Sequence, residues 1–328
     1  MRSARGIWHW PASATAYLRR EFPQVDFCEY PRDMTAPLSA AAAAADAPRF
    51  ADADAVIAFR LDPRLWHEAQ RLRWIHCPAA AVHQLLSPEL IASSIVVTNG
   101  ASVHAAMVAE HGLALIFALA RCLPAAFSDQ TAARWQPEPW LGQLRRLTGA
   151  TVVLAGLGHI GRELAPRLAA LGMKVLGVRR RPHLPVEGCA AIYADDRLES
   201  LLPQADFLIL ALPSTDATAA RIAAPQLALL PPHAFLINLG RGTALDETSL
   251  IAALASGRLA GAALDVFARE PFPSDSPLWR CPRLLITPHV AAAVPDTWDQ
   301  QVQLVARHLR NFLAGQPLSP QVDKARGY

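Results

Sequence analysis

The sequence predicts an α/β protein whose second half is a doubly wound parallel sheet. From residue 151 onward, strand-like runs alternate with helical patterns of about 8–12 residues, the rhythm of parallel strands joined by crossover helices. The first run ends in Gly156-x-Gly158-x-x-Gly161, directly after β-branched residues and at the opening of a helix. Arg241, then Asp265 and Glu270, then His289 each follow a later strand. In doubly wound sheets ligands gather at the carboxyl ends of the strands.

The elements can be taken in order. The first ~98 residues read as a smaller α/β unit, with candidate strands "GIWHW", "VDFCEY", "AVIAF", "LRWIHC" and "IVVTN" and helical stretches between several of them. The alanine tract 40–45 is an exposed helix or a loop. Residues 105–121, largely alanine and leucine, predict a buried helix, and "ARWQPEPWLGQLRRLTGA" (133–150) reads as a connection broken by proline and tryptophan. The alternation then runs strand 151–155, helix 160–171, strand 174–178, strand 206–211, helix 225–230, strand 234–238, helix 247–255, strand 260–264 and strand 284–287. A last helix is expected over 296–313, with an Asp at its start and Gly315 past its end. The tail "QPLSPQVDKARGY" reads as an extended arm, and no internal repeat is visible.

Bulk properties exclude several function classes. A chain of 328 residues, 52% of them hydrophobic, has room for two cores. Net charge is +3, too mild and dispersed to predict a nucleic-acid partner. The five cysteines are odd in number, widely spaced and without a CxxC pair. They predict free thiols in a reducing cytoplasm rather than disulfides or a zinc site. His76, His104 and His111 show no ligand spacing for a metal. The longest apolar run, 112–120, is well short of the ~20 residues of a membrane span. Arg2 and Arg5 are followed by "IWHWP" rather than by the apolar core of a signal peptide. No membrane partner is expected.

The three glycines answer separate demands: a tight turn, close approach of backbone to a pyrophosphate, and close helix–strand packing. The N–H groups of His159 and Ile160 then sit at the positive end of a helix dipole, where a phosphate is stabilised. A tight turn in an unliganded sheet, or a methyltransferase site, would share the pattern. About 20 residues on, a dinucleotide site that holds a ribose hydroxyl carries an acid. Here "GVRRR" places Arg179, Arg180 and Arg181 there instead. An acid would repel a 2′-phosphate, whereas a guanidinium matches its oxygens. Arg179 and Arg180 therefore predict NADP(H) in preference to NAD(H), with NAD(H) still possible.

Five motifs in one order and spacing, "GLGHIG", "LPST", "NLGRG", "LDVFAREP" and "TPH", resemble the D-isomer-specific 2-hydroxyacid dehydrogenase family, and within it the glyoxylate/hydroxypyruvate reductases. The resemblance extends to "LRWIHCPAAAVHQL" and covers essentially the whole chain. It implies a Rossmann-type coenzyme domain (100–289) inserted into a smaller flavodoxin-like substrate domain (1–99 and 290–328), an active site in the cleft, and a homodimer. It implies reduction of a small 2-oxo acid, or oxidation of the corresponding D-2-hydroxy acid. Arg241 would grip the substrate carboxylate and polarise the carbonyl, His289 would act as general acid, and Glu270 would bond the other imidazole nitrogen and favour the cation. By similarity Asp265 lies near the nicotinamide amide, Pro213 near the adenosine, and the N–H groups of Ala80 and Ala81 bind the substrate carboxylate. Relatives carry a glycine in that last loop, so the alanines of "PAAAV" raise a question about substrate size. Trp135 and Trp140 reach a neighbouring subunit's site or simply pack their loop. Two other activities share these motifs: an NADH enzyme for another substrate such as phosphoglycerate or formate, and a nucleotide-sensing corepressor like the C-terminal binding proteins. The chain ends soon after the last helix, without the long tail such a corepressor uses to recruit partners.

Overall fold

A computed structural model describes residues 10–30, 38–67 and 69–328. The chain divides into two compact units, 1–104 with 293–328, and 105–292.

Among the described residues the smaller unit carries a three-stranded parallel sheet, β1 (Ala55–Ile57), β2 (Trp74–Cys77) and β3 (Val96–Asn99), in the order β1-β2-β3. Alternation along β2 sends Ile75 and Cys77 into one core with Leu65, Leu90 and Val97. Trp74 goes to the other face, among Leu18, Val305 and Leu309. A parallel sheet buried on both faces explains why these strands read as continuous apolar runs. The strand expected at "VDFCEY" does not form among the described residues, where residues 26–30 have no regular secondary structure. Its period-2 pattern half-buries Val25 and Phe27 without supplying a partner. Apart from Trp10, the strand expected at "GIWHW" lies outside the described residues, as do Arg2 and Arg5. The alanine tract is helical, Ala40–Asp46, with Ser39 accepting from Ala42 N at its start.

His76 of β2 is fully buried, with Nδ1 2.8 Å from Thr98 Oγ1 and its ring 5.7 Å from that of buried His308. Burial, and secondarily His308, push the His76 imidazole down to about 3. An unfolded histidine titrates near ~6.5, so between these values the unfolded chain binds the extra proton. Stability from this site is complete above the unfolded value and is lost as pH falls toward the folded one. The urea midpoint of the protein should therefore drop between about pH 7.5 and about pH 5.5, and drop less in His76→Leu. Parallel pH slopes in the two proteins would rule out His76 as the source.

The larger unit holds seven parallel strands: β4 (Thr151–Ala155), β5 (Lys174–Val178), β6 (Cys189–Tyr193), β7 (Phe207–Leu210), β8 (Phe235–Asn238), β9 (Gly261–Leu264) and β10 (Leu284–Ile286). Their order is β10-β9-β8-β7-β4-β5-β6. The chain winds outward through β5 and β6, then crosses back to β7, so the reversal falls between β4 and β7. One face buries Val153, Leu176, Leu208, Leu236 and Leu264 in a single core. Alternate residues on the other face, Val152, Leu154, Ile209 and Ile237, have no solvent exposure. Strand β6 is absent from the sequence-based expectation. "CAAIY" is short, half-exposed and only weakly apolar, and it enters the sheet at an edge with a register shift against β5.

The expected helix 105–121 begins earlier and spans Ala101–Ala120. It has the length and hydropathy of a membrane span, which its nine-residue apolar run did not suggest, but 56% of that span is buried inside the protein. Gly112 serves close packing there, since a Cβ would stand 2.6 Å from Leu239 Cδ1. The connection 133–150 is irregular except for one helical turn, Glu138–Leu141.

Candidate active site

Because all seven strands are parallel, the loops after β4, β5, β7, β8, β9 and β10 leave the sheet at one end. The sheet divides its labour there. The β4, β5 and β7 loops carry the glycine turn, the arginines and Pro213, while the β8, β9 and β10 loops carry Arg241, Asp265 with Glu270, and His289.

The glycine turn meets each demand read from its spacing. Gly156 has φ +106°, and a Cβ on it would stand 2.4 Å from Ala211 O. A Cβ on Gly161 would stand 2.2 Å from Gly156 O, so helix His159–Ala170 can approach β4 only through glycine. Gly158 caps that helix without a side-chain acceptor, which leaves the first-turn N–H groups, including those of His159 and Ile160, aimed outward. Burial, with Arg162 nearby, lowers the basicity of His159. Pro213 follows β7 beside this turn, and its carbonyl accepts from Thr218 Oγ1 at 2.6 Å.

Arg179 leaves the end of β5, with its N–H bonded to Tyr193 O of the β6 edge. Its Nη1 is buried and has no hydrogen-bond partner among the described residues. Burial, then Arg162, then Arg181 all lower its basicity, so three guanidinium groups share one neighbourhood. None of the three has a carboxylate partner among the described residues. Arg180 is exposed. A buried, unpartnered guanidinium N–H in a like-charged cluster is stabilised by an anion, so the residues present fit a phosphate. Sequence reasoning missed Arg162. The signal was its place one turn into the helix that the glycines open.

Arg241 stands between two glycines because its turn is squeezed on both sides. A Cβ on Gly240 would stand 2.6 Å from Leu212 N, and one on Gly242 1.8 Å from Phe267 C. Asn238, ending β8, braces the turn by accepting from Gly240 N at 3.1 Å and donating to Arg241 O at 3.0 Å. Arg241 Nη1 donates to Gly240 O at 2.7 Å, and its other N–H donors have no acceptor among the described residues. Burial lowers its basicity, opposed by the charge of Glu270.

Glu270 is held by both oxygens. Oε1 accepts from Phe267 N at 3.0 Å, and Oε2 lies 2.7 Å from His289 Nδ1. A carboxylate only accepts, so Nδ1 carries the proton. The His289 side chain is 41% exposed, and its backbone has φ +53°, unusual for any residue but glycine. Fully buried Asp265 secures the adjoining segment: Oδ1 accepts from Thr287 Oγ1 at 2.7 Å and Val290 N at 3.0 Å, and Oδ2 accepts from Ala291 N at 3.1 Å. Thr287 and His111, which the sequence reading left unassigned, belong to this network.

Ala80 and Ala81 belong to the smaller unit, in the turn after β2. The carbonyls of Ala79, Ala80 and Ala81 accept from Gly100 N, Asn99 Nδ2 and Cys77 Sγ. The N–H groups of Ala80 and Ala81 have no acceptor among the described residues. None of Ala79, Ala80 and Ala81 has positive φ, so alanine is accommodated by this backbone without strain.

Residues 113–291 match the family described as D-isomer specific 2-hydroxyacid dehydrogenase, NAD binding domain. Glyoxylate reductase from Pyrococcus furiosus is 32% identical over 284 residues, 83% of this chain and 83% of that one. The NADPH-dependent glyoxylate/hydroxypyruvate reductase of Sinorhizobium meliloti, solved with NADP and sulfate, is 30% identical over 84% of this chain and 86% of its own, with a TM-score of 0.74. A D-isomer specific 2-hydroxyacid dehydrogenase from Xanthobacter autotrophicus, solved with NADPH and MES, is 27% identical over 96% of this chain and 95% of its own, with a TM-score of 0.78. With the dinucleotide turn, the Arg241 loop and the Glu270–His289 pair on one parallel sheet, the chain belongs to the D-isomer-specific 2-hydroxyacid dehydrogenase family and is an NAD(P)H-linked oxidoreductase of small 2-oxo acids.

Proposed function

We propose that the protein is an NADPH-preferring reductase of small 2-oxo acids, glyoxylate or hydroxypyruvate first, giving the D-2-hydroxy acid. The observation that carries this reading is the 2.7 Å Glu270–His289 pair at the end of the sheet that also presents Arg241. The Arg241 fork binds the substrate carboxylate and draws charge from the adjacent carbonyl. When bound, the dinucleotide supplies the hydride. His289 gives its Nε2 proton to the carbonyl oxygen as negative charge develops there, and Glu270, accepting from Nδ1, holds the ring oriented for that transfer. Asp265 organises the His289 loop beside the nicotinamide position, and Pro213 borders the adenosine. The N–H groups of Ala80 and Ala81 are a second anchor for a carboxylate.

The 2′-phosphate goes to Arg179 and Arg180, with Arg162 supporting them from the neighbouring helix. Replacing Arg179 and Arg180 together by alanine removes charge-assisted bonds worth ~1.5–3 kcal/mol each, reduced by exposure at Arg180. NADPH should bind at least roughly tenfold more weakly, with NADH nearly unaffected. Titrating both cofactors by fluorescence decides the matter: equal losses would remove the phosphate assignment. Turnover of glyoxylate with NADPH beside NADH tests the activity itself, and absence of turnover on both glyoxylate and hydroxypyruvate would refute the substrate class.

We also place the protein in the cytoplasm as a homodimer, with no nucleic-acid or membrane partner. Five unpaired cysteines suit a reducing compartment. Phe127, Trp135 and Leu141, at 65%, 96% and 69% exposure, give the 123–141 segment an apolar surface suited to a second copy. Trp140 is tied instead to Asp129 through Nε1 at 3.2 Å.

A further inference from the structure

We infer that His111 is a positioning residue for His289, acting through Thr287 and Asp265. The inference rests on the reading of His289 as the proton donor.

The direction of each hydrogen bond follows from donor counting. Thr287 Oγ1 lies 2.7 Å from Asp265 Oδ1 and 3.0 Å from His111 Nε2. A hydroxyl has one proton and a carboxylate has none to give, so the Thr287 proton goes to Asp265. Thr287 Oγ1 must then accept from His111, which places a proton on Nε2 of that ring. The chain is His111 Nε2–H to Thr287 Oγ1–H to Asp265 Oδ1, each bond polarising the next. His111 Nε2 also stands 3.6 Å from Asp265 Oδ1, too far for a good hydrogen bond but close enough for its dipole to favour the carboxylate charge.

The carboxylate so held is the anchor of the catalytic loop. It accepts from Val290 N and Ala291 N, the two residues that follow His289. His289 itself sits at φ +53°, with its N–H turned back to Thr287 O at 3.0 Å. A non-glycine residue in that region persists only where its surroundings over-determine it. Three anchors do so here: Thr287 before His289, and Val290 and Ala291 after it, all on one buried carboxylate. His111 reaches this point from helix Ala101–Ala120 and is the only side chain off the 265–291 segment that bonds the network among the described residues. Its side chain is 20% exposed, so it is neither a surface group nor an inert core residue.

The test is a set of variants read by steady-state kinetics with NADPH saturating. His111→Leu keeps bulk but removes the donor, His111→Gln offers an amide N–H in its place, and Thr287→Val removes the hydroxyl at constant shape. His111→Leu and Thr287→Val should each lower kcat for glyoxylate reduction about tenfold, with the NADPH dissociation constant and the thermal midpoint little changed, and His111→Gln should recover most of the loss. Each of the first two should be nearly silent when added to His289→Ala, because a residue acting through another contributes nothing once that residue is gone. If His111→Leu costs the same factor with and without His289, or if Gln and Leu behave alike while Thr287→Val is as active as the parent, the inference is wrong. His289→Ala alone separates the two claims. Full activity in that variant defeats the reading of His289 as acid, whereas a large loss combined with additive His111 effects defeats only the positioning role.

Discussion

His289→Ala should lower turnover in 2-oxo acid reduction by ~10²–10⁴-fold, the usual contribution of a positioned proton donor, while NADPH affinity stays near that of the parent. In the proposed reading proton delivery and cofactor binding separate because His289 lies after β10, with three strands between it and the glycine turn after β4. Glu270→Gln is the sharper companion. It preserves size and an acceptor for His289 Nδ1 but replaces the carboxylate that holds the ring at 2.7 Å by a neutral amide, a weaker acceptor. In the proposed reading kcat for glyoxylate reduction should therefore fall, with the NADPH dissociation constant near that of the parent. Steady-state kinetics of both proteins at saturating cofactor check this. An unchanged kcat would show that Glu270 does not serve the acid.

Arg241→Lys should be the next most damaging change, although it retains the charge. The Arg241 backbone is locked by the close approaches at Gly240 and Gly242, so a shorter point charge cannot shift to recover a bidentate grip. Losing one charge-assisted bond of ~1.5–3 kcal/mol corresponds to a drop of roughly 10–100-fold in kcat/KM. The Michaelis constant for glyoxylate should rise and kcat should fall, because in the proposed reading the same fork both binds the carboxylate and polarises the reacting carbonyl. NADPH binding, measured separately, should not change. A Michaelis constant equal to the parent's would place Arg241 away from the substrate carboxylate.

Much of the larger unit was legible because its determinants are local. The apolar runs of β4, β5, β7 and β8 are buried on both faces and bounded by glycine, proline or polar residues, so their limits follow within a residue or so from the sequence. Gly156 and Gly161 could be read because steric conflict between neighbouring backbone segments leaves no other residue possible. Arg179 was legible from its register, one residue past the strand that follows the glycine turn. Glu270 and His289, 19 residues apart, were paired only through the family resemblance. Nothing in their spacing requires the 2.7 Å contact.

What the sequence by itself determined, then, is the alternation of strands and helices, the glycine turn, and which polar residues fall at strand ends. Tertiary structure decided the remainder. Strand β6 forms because β5 offers it an open edge, a partner that its own weak pattern cannot announce. Helix Ala101–Ala120 looks like a membrane span in isolation, and folding buries more than half of that span inside the protein. Arg162 joins Arg179 only once helix and strand lie side by side. His111 meets Thr287 across 176 residues of chain, a contact that no local periodicity encodes. Secondary structure and steric glycines follow from interactions a few residues long, whereas hydrogen-bond networks depend on which distant segments the sheet order brings to the same end.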